Sequence, residues 1–171
     1  MGENGAGKST LMKVLCGAYQ PDAGAILWQG EVVPVRNAAD ARALGVAVIF
    51  QEYSLVPHLS IGQNIFLGRE PLNRFGLIDH VRLHRDAHAM LARLNLDLDT
   101  RREVQGLGVA QQQMVEIAKA LSQDARVLVL DEPTAGLADR ETGRLFEVIA
   151  DLRRQGVAMA YISHRMDEVF R

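Results

Sequence analysis

The residues of this sequence that could do chemistry begin at a glycine-rich segment near its first residue. Residues 2–9 fit the pattern G-x-x-x-x-G-K-[ST], in which consecutive backbone N–H groups converge on phosphate oxygens. We expect Lys8 to contact the terminal phosphates of a nucleotide and the Ser9 hydroxyl to ligate Mg²⁺. The helix predicted to begin near Lys8 would direct its positive end at the same anion. The predicted nucleotide-binding residues of this segment are Gly2, Asn4, Gly5, Ala6, Gly7, Lys8, Ser9 and Thr10.

A pair of acids lies where a predicted buried strand ends. The apolar run 127–130 is followed by Asp131 and Glu132, and ligands bind at the carboxyl ends of strands in open α/β sheets. Two adjacent acids after a strand could be solvated turn residues, but their coupling to a phosphate-binding loop favours a role in chemistry. We therefore assign Asp131 to Mg²⁺, directly or through water, and Glu132 to the general base that polarises the attacking water.

Two further predicted strands end in polar residues. Gln51 follows the apolar run 46–50, and His164 comes shortly after the run 157–162. Each is unremarkable by itself, because a glutamine or histidine at a strand end is commonly a surface residue. Together with Asp131 and Glu132, they predict a set of side chains that senses a γ-phosphate.

The elements that must position these residues alternate between strands and helices. This alternation predicts an α/β fold with a mostly parallel sheet. Residues 60–102 contain helical periods and few β-branched runs, which indicates a helical insertion. The predicted helices cover about 8–17, 37–44 with Asn37 as N-cap, 61–67, 80–95, 109–121 and 141–155. The predicted strands are a hairpin of 25–29 and 31–35, and the buried runs 46–50, 126–130 and 157–162.

Composition narrows the class of protein. The chain has 171 residues, enough for one domain, and is 48% hydrophobic and 23% charged, which disfavours disorder. Its 19 basic and 21 acidic residues give a net charge of −2, without the basic excess of a nucleic-acid-binding surface. The apolar runs are far shorter than a membrane-spanning helix. A single cysteine excludes an internal disulfide framework.

The order of these motifs resembles the ATPase subunit of an ABC transporter. The resemblance rests on residues 2–9, Gln51, the segment 107–111, the run Asp131-Glu132-Pro133-Thr134 and His164. Three further segments resemble the monosaccharide importers of the ribose, galactose and xylose type, in which one polypeptide usually carries two ATPase halves. Those segments, 51–57, 64–70 and 112–121, are similar to the first half.

The resemblance implies roles residue by residue. Glu132 and His164 would act in hydrolysis, and Gln51 would ligate Mg²⁺ and link the nucleotide state to the membrane partner. The segment 107–111 corresponds to the family's signature, usually Leu-Ser-Gly-Gly-Gln, which contacts ATP held by an opposite ATPase half. Here Gly108 replaces the serine and Ala110 the second glycine, so the hydroxyl is lost while the amide end of the next helix remains. The signature residues are Leu107, Gly108, Val109, Ala110 and Gln111.

The same resemblance implies the fold and the partners. It implies a P-loop NTPase with a mostly parallel sheet, lacking the N-terminal strands, and a helical subdomain over about 60–120 that includes the signature. ATP would close two ATPase halves head to tail, and reopening would reach membrane permease subunits through the Gln51 loop. A sugar-binding protein outside the membrane would take part indirectly, and the chain would lie at the cytoplasmic face of the membrane. No nucleic-acid partner is expected.

Two other hypotheses stay open from the sequence. An ATPase of the same type could act on DNA or ribosomes, against which the balanced charge argues. Alternatively, the chain could be an inactive fragment, because the family's strand before residue 2 and its adenine-stacking aromatic residue do not occur in it. Loss of a central strand would expose the edges of its neighbours. On this basis we expect the chain alone to fold poorly and to show little ATPase activity.

Overall fold

The computed structural model describes residues 7–50, 54–163, 165 and 168, and for Ser9 the backbone alone. The chain divides into two compact units. The first unit comprises residues 1–51, 123–133 and 153–171, and the second comprises 52–122 and 134–152. Among the described residues, no helix is long and apolar enough to cross a membrane.

The first unit contains a parallel sheet and a separate hairpin. Its helices are α1 (Lys8–Leu15) and α2 (Ala38–Ala43), and its strands are β1 (Ile26–Trp28), β2 (Glu31–Val33), β3 (Val46–Ile49), β4 (Val127–Asp131) and β5 (Ala158–Ile162). β1 and β2 pair antiparallel, whereas β3, β4 and β5 form a parallel sheet in that order. The predicted α/β class with a mostly parallel sheet is confirmed.

β4 is the central strand of the described parallel sheet, and its composition explains that place. Leu128, Val129 and Leu130 are at most 1% exposed, as expected of a strand covered on both faces. The register pairs Asp131 with Ile162 on β5. The carboxyl end of β4 therefore delivers Asp131 and then Glu132 beside the end of β5.

Helix α1 packs on this sheet through its apolar side. Met12 forms a buried cluster with Val129 and Ile162, and Leu15 packs against the same cluster. Met12 lies four residues after Lys8, about one helical turn, and residues four apart share a helix face. Burial of this cluster fixes the first turn of α1 relative to the strands that end in Asp131 and Ile162.

The loop after α1 approaches α2 closely at Gly17. Gly17 has φ +74°, and a Cβ on it would lie 2.4 Å from the carbonyl carbon of Asn37. Only glycine fits both the left-handed backbone and this approach. Asn37 caps α2 as predicted, since its Oδ1 accepts hydrogen bonds from the N–H groups of Ala39 at 2.8 Å and Asp40 at 3.0 Å.

The second unit is helical in its described residues. It contains α3 (Ile61–Ile65), α4 (His80–Ala92), a 3₁₀ turn (Val104–Gly106), α5 (Val109–Leu121) and most of α6 (Asp139–Arg154). α3 packs against both α4 and α5. Its core is apolar and fully buried, with Ile61, Ile65, Leu83, Leu91 and Ile117 at 0% exposure.

The helical periods in the sequence are confirmed, with shifts of a few residues at the ends. α5 has the predicted bounds, because Gly108 ends the preceding extended segment and the apolar face begins at once. α4 ends at Ala92, short of the predicted Asn95, since Asn95 takes a left-handed backbone with φ 55°. A non-glycine residue in that region ends a helix.

Candidate functional site

The phosphate-binding segment is described from Gly7 onward, where it passes into α1. Gly7 is the N-cap with φ 79° and ψ 7°, a left-handed conformation that glycine adopts without steric cost. Its carbonyl accepts the N–H of Leu11 at 2.9 Å, which closes the first turn. The first turn of α1 holds no acid, so the positive end of the helix dipole is not offset there.

Lys8 is the first residue of α1 and therefore lies at this positive end. The packing of Met12 on Val129 and Ile162 holds α1 against the strands that carry the acids. The first unit thus brings Lys8 of the phosphate-binding segment and the Asp131–Glu132 pair into one compact body. Basic and backbone donors together with carboxylates suit a phosphate chelated to a divalent cation.

Glu132 stands in a constrained backbone conformation. Its φ is 49°, in the left-handed region that non-glycine residues seldom occupy. Its N–H donates to the Ile162 carbonyl at 2.9 Å, so the ladder between β4 and β5 continues one residue beyond Asp131. Such conformations cost about 1–3 kcal/mol and cluster at functional sites. The Glu132 side chain is half-buried.

The donors present fit a magnesium ion that is held partly by its substrate. Mg²⁺ prefers oxygen ligands and is usually bound by one or two carboxylates plus phosphate oxygens and water. Asp131 supplies such a carboxylate at the end of β4. The described residues contain no group of three or more His, Cys, Asp or Glu side chains that could hold a metal ion by themselves.

The signature segment lies in the second unit, before and within the first turn of α5. Leu107 is buried and closes the 3₁₀ turn, and Gly108 is the N-cap of α5 with φ −68° and ψ 161°. Gly108 has no side chain that could accept an N–H group from the first turn of α5, so half of the usual capping arrangement is missing. The Gln111 side chain accepts the Gly108 N–H at 3.3 Å, and the Gln112 side chain donates to the Leu107 carbonyl at 3.0 Å.

Several predicted site residues lie outside the described part of the chain. These are Gly2, Asn4, Gly5, Ala6, Gln51 and His164, together with the side chain of Ser9. Their roles remain predictions. Among the described site residues, Gly7, Lys8, Thr10, Asp131 and Glu132 share the first unit, whereas residues 107–111 belong to the second.

Sequence reasoning missed two buried carboxylates that hold loops near predicted site residues. Glu116 on α5 is 6% exposed and binds Ser54, three residues after Gln51. Glu168 is 4% exposed and accepts hydrogen bonds from Tyr161 Oη at 2.9 Å and Ser163 Oγ at 2.7 Å. No local pattern in the sequence shows the burial of Glu116, because its hydrogen-bond donor lies 62 positions earlier in the chain.

His84 lies on α4 in the second unit. His84 Nδ1 lies 3.1 Å from Thr100 Oγ1. Burial and the nearby Arg101 and His80 charges lower the pKa of His84 below its ordinary value, although Asp99 opposes them. His84 therefore binds a proton less readily than an ordinary histidine.

Comparison with known proteins gives close relatives across the whole chain. The chain is 54% identical over 172 residues to the ribose import ATP-binding protein RbsA of Chromobacterium violaceum, covering 100% of this chain and 34% of that protein. It is 53% identical over 169 residues to a ribose import ATP-binding protein of Rubrobacter xylanophilus, covering 99% and 34%. The chain thus spans about one third of the length of these relatives.

Solved structures give the same relationship at the level of the fold. The ADP conformation of an ATP-binding cassette of an ABC transporter superposes with a TM-score of 0.84 at 26% identity, covering 99% of this chain and 70% of that one. A nucleotide-free ATP-binding cassette from an ABC transporter gives 0.84 at 25% identity, covering 98% and 70%. The sequence pattern described as ABC transporter matches residues 1–135. With its phosphate-binding segment, paired acids and parallel sheet, the chain belongs to the ABC transporter family.

Proposed function

We propose that this chain is an ATP-binding and ATP-hydrolysing half of an ABC importer for a monosaccharide, working at the cytoplasmic face of the membrane. The observation that carries the proposal is the packing of α1 on β4 and β5, which sets Lys8 in the same body as Asp131 and Glu132. The names of the relatives, which refer to ribose import, support the sugar class. Permease subunits, a second ATPase half and, indirectly, a sugar-binding protein are the partners.

In the proposed reaction, Lys8 and the N–H groups at the start of α1 bind the terminal phosphates of ATP. Lys8 neutralises their charge, while Gly7 allows the backbone to approach closely. Asp131 and Ser9 would hold Mg²⁺, which neutralises charge on the phosphate oxygens when it is bound.

Glu132 supplies the base for hydrolysis. Its half-buried carboxylate follows directly on Asp131, so a water beside the γ-phosphate can pass its proton to Glu132 Oε. The Ile162 carbonyl accepts the Glu132 N–H and thereby fixes the backbone from which this side chain extends. His164 and Gln51 would contact the same phosphate and report whether it has been cleaved.

The signature segment of one half would complete the site of another half. The amide end of α5 offers backbone donors to the γ-phosphate, and the first turn of α5 holds no acid. Gly108 provides no hydroxyl, so this half offers one donor fewer than the usual family signature. This difference can be reversed by a single substitution.

Replacement of Gly108 with serine is expected to strengthen ATP-dependent pairing of two ATPase halves. A Cβ at Gly108 would meet nothing within 4 Å, so the side chain fits. The hydroxyl would add one hydrogen bond to a charged phosphate, which corresponds to roughly tenfold or more in affinity. The measurement is the ATP concentration at which dimers form by analytical ultracentrifugation. Gly106→Ser, two residues earlier, is the matched control; equal effects of both variants would refute the role of position 108.

An exposed apolar surface in the second unit supports docking to a membrane partner. We define the 72–81 patch as Leu72, Phe75, Leu77, Ile78 and Val81, which are 42–79% exposed. The segment is ordered by its own hydrogen bonds, since Asn73 Oδ1 accepts the N–H groups of Phe75 at 2.9 Å and Leu77 at 3.1 Å. Exposed apolar patches on ordered segments mark interaction sites. We assign this patch to an apolar surface of the permease.

Replacement of Phe75 with serine is expected to weaken binding to the permease about tenfold or more, because exposed aromatic anchors dominate such interfaces. The probe is the pair of membrane subunits from the Chromobacterium violaceum ribose importer in detergent, with affinity read by surface plasmon resonance. Val32→Ser is the matched control, since Val32 on the hairpin is 69% exposed, close to the 72% of Phe75. Neither variant should change the melting temperature. Unchanged binding by Phe75→Ser would show that the patch is not the docking surface.

The experiment that tests the proposed function is ATP-driven uptake of ribose. A complete version of the ATPase that contains this chain is combined with the same membrane subunits and their sugar-binding protein in vesicles, with ATP on the side of the ATPase. We expect uptake that requires ATP and is lost with Lys8→Ala. Nucleotide binding and hydrolysis without any dependence on the membrane subunits would instead favour an ATPase unconnected to transport.

A further inference from the structure

We propose that Glu116 is a positioning residue that fastens the segment after Gln51 to α5, so that this segment and the signature helix move as one body. The inference deepens the proposed function and rests on it. It concerns a contact inside the second unit, between its first described residue, Ser54, and the helix that begins after Gly108.

The contact consists of two hydrogen bonds to one carboxylate. The Ser54 N–H donates to Glu116 Oε1 at 2.5 Å, and Ser54 Oγ donates to Glu116 Oε2 at 3.2 Å. Lys119, one turn further along α5, donates to the Ser54 carbonyl at 3.2 Å and to Ser54 Oγ at 2.9 Å. Both the backbone and the side chain of Ser54 are therefore held by a single face of α5.

The burial of Glu116 indicates that this contact is part of the folded structure of the second unit and is not a chance contact at its surface. Glu116 is 6% exposed, and a buried carboxylate without hydrogen-bond donors is strongly unfavourable. Its two oxygens receive the Ser54 donors, and the Lys119 ammonium lies on the same helix face. Hydrogen bonds to charged groups are about twice as strong as neutral ones.

A second buried polar side chain holds the next part of the same segment. Asn64 is 0% exposed, and its Oδ1 accepts the Val56 N–H at 2.7 Å. Its Nδ2 group reaches the carbonyls of Val56 at 3.0 Å, Leu59 at 3.2 Å and Ser60 at 3.1 Å. Because α3, which carries Asn64, packs against α5, residues 54–60 are fixed to one helical body at both ends.

The position of this segment in the chain gives the contact its functional meaning. Ser54 lies three residues after Gln51, and Glu116 lies five residues after Gln111, the last residue of the signature segment. A displacement of the chain at Gln51 would pull on Ser54 and, through Glu116, on α5. The pair therefore ties the chain three residues after Gln51 to the helix that follows the signature segment.

The physical link is tested by hydrogen exchange in the full chain. We expect Glu116→Gln to speed exchange of the peptide covering 54–60 by about tenfold or more, because the substituted amide nitrogen cannot accept a hydrogen bond from Ser54. Exchange in α4 serves as the internal reference, and Glu147→Gln, an exposed helical glutamate, is the matched control. Unchanged exchange over 54–60 would overturn the proposal.

A milder variant covers the case in which Glu116→Gln unfolds and α4 also exchanges faster. Ser54→Ala removes only the hydroxyl of an exposed residue and leaves its N–H in place. We expect it to speed exchange over 54–60 severalfold, with α4 unchanged. Equal exchange in Ser54→Ala and the unchanged chain would then overturn the proposal.

The functional link is tested by ATP hydrolysis with the Chromobacterium violaceum ribose importer's membrane subunits. We expect Glu116→Gln to reduce stimulated kcat about tenfold while the KM for ATP stays within about twofold, and Glu116→Asp to restore part of the rate. A merely stabilising role would lower the folded fraction without this split. If the membrane subunits do not stimulate ATP hydrolysis by the unchanged chain, the proposed function fails, and the contact between Ser54 and Glu116 is then tested by hydrogen exchange alone. If they stimulate hydrolysis by Glu116→Gln as much as by the unchanged chain, the inference fails.

Discussion

In a complete version of the ATPase, replacement of Glu132 with glutamine is expected to slow ATP hydrolysis by about 10²–10⁴-fold while ATP binding is kept. Glutamine has nearly the same shape and preserves the backbone hydrogen bond from residue 132 to the Ile162 carbonyl. It cannot accept the proton of the attacking water, so binding and hydrolysis separate. The phosphate-binding residues at the start of α1 are untouched.

The measurement is phosphate release under saturating MgATP, together with nucleotide affinity by calorimetry. Glu31→Gln is the matched control, because Glu31 is an exposed acid on the β1–β2 hairpin of the same unit. We expect the control to match the unchanged chain in both assays. Undiminished turnover in Glu132→Gln would remove Glu132 from the reaction.

Replacement of Lys8 with alanine is expected to weaken ATP binding by roughly 10–100-fold, because the ammonium makes a charge-assisted contact with the phosphates. Alanine is a better helix former than lysine, so α1 itself should persist. The measurement is displacement of a fluorescent ATP analogue, with AMP affinity recorded alongside. AMP lacks the terminal phosphates, so its binding should change much less.

Lys13→Ala provides a control on the same helix. Lys13 lies in the last turn of α1, where its ammonium stacks 5.3 Å from the centre of the Tyr19 ring. The two variants remove the same charge from opposite ends of α1. An equal loss of ATP affinity in both would mean that Lys8 acts through general charge, which would contradict its assigned place at the phosphates.

The parts of the fold that local sequence determines were predicted well. α5 begins at Val109 because the apolar period starts directly after a glycine, and the centre of β4 is buried because residues 127–130 are apolar. The phosphate-binding pattern and the acids after β4 predict the candidate site from short motifs, since each motif lies within a few residues. These features depend on neighbours in the chain and can be predicted without the fold.

The features that sequence reasoning missed depend on distant partners. Glu116 is buried because Ser54, 62 positions away, donates to it, and no local pattern shows that pairing. The left-handed backbone of Glu132 depends on the Ile162 carbonyl, 30 residues later in the sequence. The exposed ring of Phe75 is presented by a turn that Asn73 organises, where hydrophobicity alone would suggest burial.

The most direct test of the central claim is a structure of the Glu132→Gln variant with MgATP. The account predicts the terminal phosphates at the first turn of α1, in contact with Lys8 Nζ, and the cation beside the Asp131 carboxylate. Nucleotide bound elsewhere, or phosphates that make no contact with Lys8 or Asp131, would contradict it.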